Sequence, residues 1–306
     1  MSARLRIGSR GSALALCQAE KVRLLLSQLR PNDSFDIEVI QTTGDRETLP
    51  LSEMGGKAVF VRELEIALLQ HRIDLAVHSL KDVTASPLEG LALTGFLSPE
   101  SISDVLVCPS PMTLETLPAG TVLGSGSMRR KALLHLLRPD INCQDIRGNV
   151  DTRLRKIKTE NLDGILLSEA GLIRLGMLPD SRSGVWSFQW ESRTFWACRL
   201  EKDRFCPAPG QGVVTIQSRT EDEPLATWIR QISDPRQRVI SELELILLQG
   251  VGFDCRIPFG AYTNLDEDQV EVHTFHPNGR DIFFSSLTES KLQMYPWARA
   301  LKHKLI

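Results

Sequence analysis

Short apolar runs alternate with longer stretches in which apolar residues recur every three or four positions, and this alternation sets the expected architecture. Residues 4–8 read as a strand, and Ser12 is placed to cap a helix running to about residue 26. Residues 36–42 alternate with period two and 61–70 have helical spacing. Residues 73–77 form the continuous apolar run of a buried strand, followed by His78-Ser79-Leu80-Lys81-Asp82. Such βαβ alternation predicts a largely parallel sheet. A second series follows, with strands at 105–108, 121–123, 141–146 and 164–167. Its helices are expected at 127–137, near 152–158 and at 171–175. Two units of this kind in tandem leave a cleft between them, where ligands of such architectures sit.

The pattern then dissolves. Residues 177–209 hold Trp186, Phe188, Trp190, Phe195 and Trp196 among polar residues, and are expected to form a long connection with a small apolar cluster of its own. A strand resumes at 213–217, and helical segments run from 222 to 248. A loop surrounds Cys255, and strands at 269–275 and 281–287 flank the turn signal His276-Pro277-Asn278-Gly279. The expected organisation is α/β in three domains. The first spans 1–98 plus about 208–222, the second 99–200, and a smaller α+β third 223–306.

Composition narrows the partners. The chain has 306 residues, 42% hydrophobic and 24% charged, with a formal net charge of -2. Charge therefore gives no reason to expect nucleic acid or a membrane surface. Inside this near-neutral chain, residues 121–175 carry ten Lys or Arg against six Asp or Glu, a local basic excess. The six cysteines, at 17, 108, 143, 198, 206 and 255, form no CxxC pair and no zinc spacing. Scattered thiols of this kind suit a reducing, cytoplasmic compartment. No apolar run approaches membrane-spanning length, and the N-terminus has no signal core.

Several strand ends carry candidate chemistry. Ser125-Gly126-Ser127-Met128-Arg129-Arg130 joins a strand to a helix, whose N-terminus suits an anion; ordinary capping by Ser127 with surface arginines is the alternative. Arg147-Gly148-Asn149 at a second strand end, Arg153 and Arg155 in the next helix, and Arg10 with Ser12 at the first turn extend the same theme. Arginine forks hold carboxylates by paired hydrogen bonds. Asp82, beside Lys81 at a strand's carboxyl end, suits acid–base work or stabilisation of a cation, or else caps a turn. Lys57 follows Gly55-Gly56 in either an anion-touching loop or a plain turn. Cys255 stands in a Gly- and Pro-bounded loop beside Arg256, a cation that would raise its thiolate fraction; an inert buried thiol is the default.

Taken in order, these segments resemble the porphobilinogen deaminase (hydroxymethylbilane synthase) family. The resemblance rests on Leu5-Arg6-Ile7-Gly8-Ser9-Arg10-Gly11-Ser12, Thr43-Gly44-Asp45, Gly55-Gly56-Lys57 and Asp74-Leu75-Ala76-Val77-His78-Ser79-Leu80-Lys81-Asp82-Val83. It continues through Ser125-Gly126-Ser127-Met128-Arg129-Arg130, Ile146-Arg147-Gly148-Asn149-Val150-Asp151-Thr152-Arg153-Leu154, Ala170-Gly171-Leu172-Ile173-Arg174-Leu175-Gly176, Pro209-Gly210-Gln211-Gly212 and the Cys255 loop. The chain departs from the family pattern at Glu53, Thr84, Gly126, Phe253-Asp254 and the helix before that loop.

The resemblance implies two domains like those of type II periplasmic binding proteins and a small third domain. It implies a monomeric transferase of tetrapyrrole and haem biosynthesis, without metal, that joins four porphobilinogens with loss of ammonia into hydroxymethylbilane. One dipyrromethane cofactor per chain would be held by a thioether at Cys255. Asp82 would be the catalytic carboxylate, protonating the leaving amine and stabilising the cationic azafulvene. Arg10, Ser12, Lys57, Lys81, Ser125, Ser127, Arg129, Arg130, Arg147, Arg153 and Arg174 would bind carboxylates of substrate, cofactor and growing chain. Six linked rings bring roughly twelve carboxylates, a load an arginine-rich cleft suits. The rival readings are a solute-binding or sensor module for small anions, and a degenerate homologue that binds without turnover. A binder needs neither Asp82 nor Cys255.

Overall fold

The computed structural model describes residues 3–41, 61–84, 87–178, 184–250, 257–266, 269–276, 279–286 and 291–302. Lys57, Glu53, the Cys255 loop with Phe253-Asp254 and Arg256, and the Pro277-Asn278 turn lie outside the described residues.

The first sheet is built from β1 (Arg4–Ser9), β2 (Ser34–Val39), β3 (Leu75–Ser79), β4 (Leu91–Phe96) and the late strand β11 (Val214–Arg219), in the order β2-β1-β3-β11-β4. Helix α1 (Ala13–Leu29) starts where the Ser12 hydroxyl accepts from the Ala15 N–H and stops before Pro31, which cannot continue a helix. Its Ala19, Val22 and Leu26 recur at helical spacing and are fully buried against Ile7, Val77 and Ile216. On the other face, α2 (Arg62–Leu69) covers the sheet with Leu64, Ala67 and Leu68.

The second sheet has the order β7-β6-β8-β5-β10-β9. Its strands are β5 (Asp104–Cys108), β6 (Val122–Gly124), β7 (Asn142–Gln144), β8 (Gly164–Ser168), β9 (Val185–Trp190) and β10 (Arg193–Leu200). The helices α3 (Met128–Leu137), α4 (Val150–Thr159) and α5 (Glu169–Arg174) connect them. The chain crosses between the two sheets twice, at 97–103 and at 201–213. Both sheets are mixed rather than largely parallel. Strand β1 runs parallel to β2 and β3, and β6 to β7 and β8. The crossing strands β11 and β5 enter from the opposite end and pair antiparallel.

Within 177–209 the structure replaces the expected connection with a hairpin. Trp186, Phe188 and Trp190 alternate along β9, and Phe188 stacks on Phe195 of β10 at 5.8 Å. The two-residue turn Glu191-Ser192 carries no glycine or asparagine, so the usual hairpin signal is missing although Glu191 sits at φ 52°.

The third domain comprises α7 (Pro235–Gly250), α8 (Lys291–Lys302) and an antiparallel sheet β12-β13-β14, with β12 (Gly260–Leu265), β13 (Gln269–His276) and β14 (Gly279–Ser286). Strand β12 forms where only a loop was expected. Helix α6 (Glu223–Gln231), expected to open this domain, instead buries Leu225 and Ile229 in the first core, so the third domain begins at α7. Glu244 of α7 docks the domain. It accepts from the Gly210 N–H at 2.7 Å and the Thr263 N–H at 2.9 Å, and burial pushes its carboxyl up to about 7.

The crossover depends on Gly212. Its φ is +82°, and an added Cβ would stand 2.0 Å from the Ser101 carbonyl oxygen, so the two crossing segments touch backbone to backbone there. Gly212→Ala is expected to lower stability by about 1–3 kcal/mol or more through strain alone. Urea unfolding tests this, and an unchanged midpoint would contradict the close packing of the crossovers.

Candidate active site

The strand ends of both sheets meet at a carboxylate the sequence reading passed over. Asp104, the first residue of β5, is fully buried. Its Oδ1 accepts from Arg130 Nε at 3.0 Å, Arg130 Nη2 at 2.7 Å and Gln211 Nε2 at 3.0 Å, and its Oδ2 accepts from Arg129 Nη1 at 2.7 Å. Burial works against the charged form, but the two guanidinium ions outweigh it and hold the Asp104 carboxyl far below the usual range. Arg129 also donates to the Cys206 carbonyl at 2.6 Å, and Arg130 Nη1 to the Leu166 carbonyl at 2.9 Å. Both arginines reach this position because they occupy the first turn of α3, behind the Ser127 cap.

Gln211 extends the cluster into the first domain. Its Nε2 is spent on Asp104 and on the Ile102 carbonyl at 2.8 Å, so its Oε1 turns to Lys81, whose Nζ stands 3.4 Å away. Lys81 and Asp82 lie in a single 3₁₀ turn, Leu80–Asp82, directly after β3. Burial, and next the Arg130 charge, push the Lys81 ammonium down to about 7, against the pull of Asp82 and Asp104. On α4, Arg153 donates to the Gly148 carbonyl at 2.7 Å. Burial, then Arg130, then Arg147 lower its guanidinium to about 10, with Asp82 opposing. Arg147 has no hydrogen bond or ion pair among the described residues. Asp82 thus acts on Lys81 and His78 from its own domain and on Arg130 and Arg153 across the cleft.

The other expected site residues divide by what they touch. Ser12 and Ser127 cap their helices, and the Ser125 hydroxyl accepts from the Ser127 N–H at 3.3 Å. Arg10 follows β1 directly and is close enough to act on His78. Arg174 pairs with Glu100 and donates to the Gly212 carbonyl, while Lys21 holds the same Glu100 at 2.6 Å. Glu100 therefore ties α1 to α5 at the crossover. Gly126, where the family pattern has a hydroxyl residue, lies where an added Cβ would come 2.7 Å from the Ile146 carbonyl oxygen.

The residues missed were Asp104, Gln211 and Glu100. An acid heading a wholly buried strand needs a partner, and that was the available signal. Gln211 lay inside a quoted motif without a role.

The first two domains are α/β units joined by two crossovers, and basic side chains of both meet near Asp82 and Asp104. The family model described as "Porphobilinogen deaminase, dipyromethane cofactor binding domain" matches residues 5–227. Curated proteins named porphobilinogen deaminase are similar over most of the chain. That of Nitrobacter winogradskyi is 38% identical over 283 residues, covering 90% of this chain and 84% of its own. That of Bacillus subtilis is 37% identical over 288 residues, covering 93% and 87%. Among solved structures, an arginine-specific periplasmic binding protein of Salmonella typhimurium superposes with a TM-score of 0.39 at 13% identity, covering 78% of this chain and 96% of that one. The chain belongs to the porphobilinogen deaminase family.

Two substitutions separate the buried scaffold from the open cleft. Asp104→Asn leaves Arg129 and Arg130 buried without their counter-charge and should cost about 3–5 kcal/mol. Arg147→Leu removes no partner among the described residues and should stay within about 0.5 kcal/mol of the parent. Urea midpoints of the two variants decide between them; equal losses would mean the division is wrongly drawn.

Proposed function

We propose that this chain polymerises four porphobilinogen molecules into hydroxymethylbilane on a dipyrromethane cofactor attached to Cys255. The observation that carries the reading is one carboxylate, Asp82, facing Lys81 and Arg153, neither of which has an ion-pair partner among the described residues, with Arg147 close by and likewise unpaired among them. A depressed lysine and a depressed arginine facing one cleft are the condition under which added carboxylates bind favourably. The donor set therefore fits a polycarboxylate pyrrole chain. Arg147, Arg153 and Lys81 are the residues that would hold it. When bound, dipyrromethane supplies a tethered pyrrole carbon to which the incoming ring is joined.

In each round the C–N bond to the departing ammonia breaks, a C–C bond forms and one pyrrole proton is lost. Asp82 carries out the proton transfers of this cycle, protonating the leaving amine, and its carboxylate faces the positive charge that develops on the ring. Lys81, held by Gln211, and Arg153 neutralise propionate and acetate groups while the carbon centres meet. Action as a monomer is part of the proposal. The thiols Cys17, Cys108, Cys143 and Cys198 form no disulfide among the described residues and suit a reducing compartment, so the cytoplasm is the proposed location. Among the described residues, no helix is long and apolar enough to cross a membrane. A simple binder of small anions would leave Asp82 in the middle of its anion site without use.

Protein made in cells that supply porphobilinogen should carry the added mass of two linked pyrroles, absent from Cys255→Ala. With cofactor in place, Asp82→Asn should remain folded and lose about 10²–10⁴-fold in porphobilinogen consumption. An unmodified wild-type mass, or equal turnover in holo Asp82→Asn, would defeat the proposal.

A further inference from the structure

A buried chain of hydrogen bonds runs from the back of the first sheet to His78, a ring on which the Asp82 charge acts, and the carboxylate-binding role of the cleft does not use it. Glu65 of α2 and Gln217 of β11 are both buried, and Gln217 Nε2 donates to Glu65 Oε1 at 2.8 Å. The same Glu65 oxygen accepts from the Leu88 N–H at 3.4 Å, as an acceptor must. With its amide nitrogen turned to Glu65, Gln217 presents its Oε1 to His78, whose Nε2 stands 3.1 Å away. An amide oxygen only accepts, so Nε2 of His78 must carry the hydrogen.

This fixes the tautomer: Nδ1 is the bare nitrogen, with no hydrogen bond among the described residues. The charged groups acting on the ring are Asp82 from the 3₁₀ turn and Arg10 from the end of β1, with Glu65 of α2 beyond Gln217. Burial, the largest influence, lowers the imidazolium to about 4.

We propose that Gln217 and Glu65 are positioning residues that lock His78 as a neutral imidazole protonated at Nε2, so that no imidazolium stands beside Asp82 as a competing counter-ion during the reaction. An imidazolium at this position would be a counter-ion for Asp82 and would compete with the charge that develops on the substrate pyrrole. The chain from Glu65 denies His78 that role: the amide turned by Glu65 takes the one ring hydrogen, and burial disfavours a second. The inference rests on the catalytic reading of Asp82, but the state of His78 can be read without turnover.

Nitrogen-15 NMR of histidine-labelled holoenzyme, with the His78 signals assigned by His78→Gln, reads the tautomer directly. The expected result is hydrogen on Nε2 only, unchanged from pH 8 down to about pH 5, below the range in which an ordinary histidine titrates. An Nδ1–H tautomer, or an imidazolium at neutral pH, would overturn the proposal whatever the enzyme's activity. Gln217→Glu then sets a carboxylate against Nε2, and His78 should take its second proton within about pH 5–8. Porphobilinogen consumption by the holo variant should acquire a matching acid limb, falling on the order of tenfold below wild type at about pH 6. A pH profile unchanged from wild type, with His78 protonated in the variant, would show that its charge does not reach Asp82. If the variant does not fold, the wild-type tautomer and its pH range still decide.

Discussion

A buried carboxylate shared by two arginines is the constraint on which the rest of the molecule depends. Asp104 accepts four hydrogen bonds, two from Arg130 and one each from Arg129 and Gln211. Burying an ion costs several kcal/mol, so such a group persists only when its lone pairs are filled with good geometry. Filling them fixes the first turn of α3, the start of β5 and the second crossover relative to one another. Gln211 brings Lys81 and the Asp82 turn into the same frame. Arg129 also carries the third domain, since its side chain packs under Gly260 at the start of β12 and its guanidinium holds the Cys206 carbonyl.

The cluster is not neutral. One acid serves two guanidinium ions; burial is the larger influence lowering Lys81 and Arg153, and the Arg130 charge adds to it. Asp82 offsets part of that positive charge. The scaffold that gives the cleft its shape therefore also gives it its charge. Arginines at the same strand ends divide between these tasks: Arg129, Arg130 and Arg174 are engaged by Asp104, Glu100 and backbone carbonyls, whereas half-buried Arg147 has no such partner among the described residues.

The division was not legible in the sequence, and Asp104, Gln211 and Glu100 were not singled out there. Apolar runs and Ser caps located β1, β3, α1 and α3 because these elements follow local rules of period and capping. The motif order identified the family. Which arginine faces a ligand depends on where Asp104 lies, and that is set by a strand crossing from the other domain, a long-range fact without local signature. The β9–β10 hairpin escaped because Glu191 adopts a left-handed conformation that its residue type does not announce. Helix α6 was assigned to the wrong domain because its amphipathic stripe says that it packs, not on what.

The central claim is that the cleft holds basic groups short of counter-charge, completed by ligand carboxylates. Lys81, near 7 in the free protein, should therefore gain a proton when a carboxylate arrives. The Cys255→Ala protein cannot tether the cofactor and so can be titrated with porphobilinogen without polymerisation. Calorimetry at about pH 8 in two buffers of different ionisation enthalpy should give an uptake approaching one proton per ligand, lost in a Cys255→Ala/Lys81→Gln double variant. Binding with no proton exchange, or with proton release, would contradict the account.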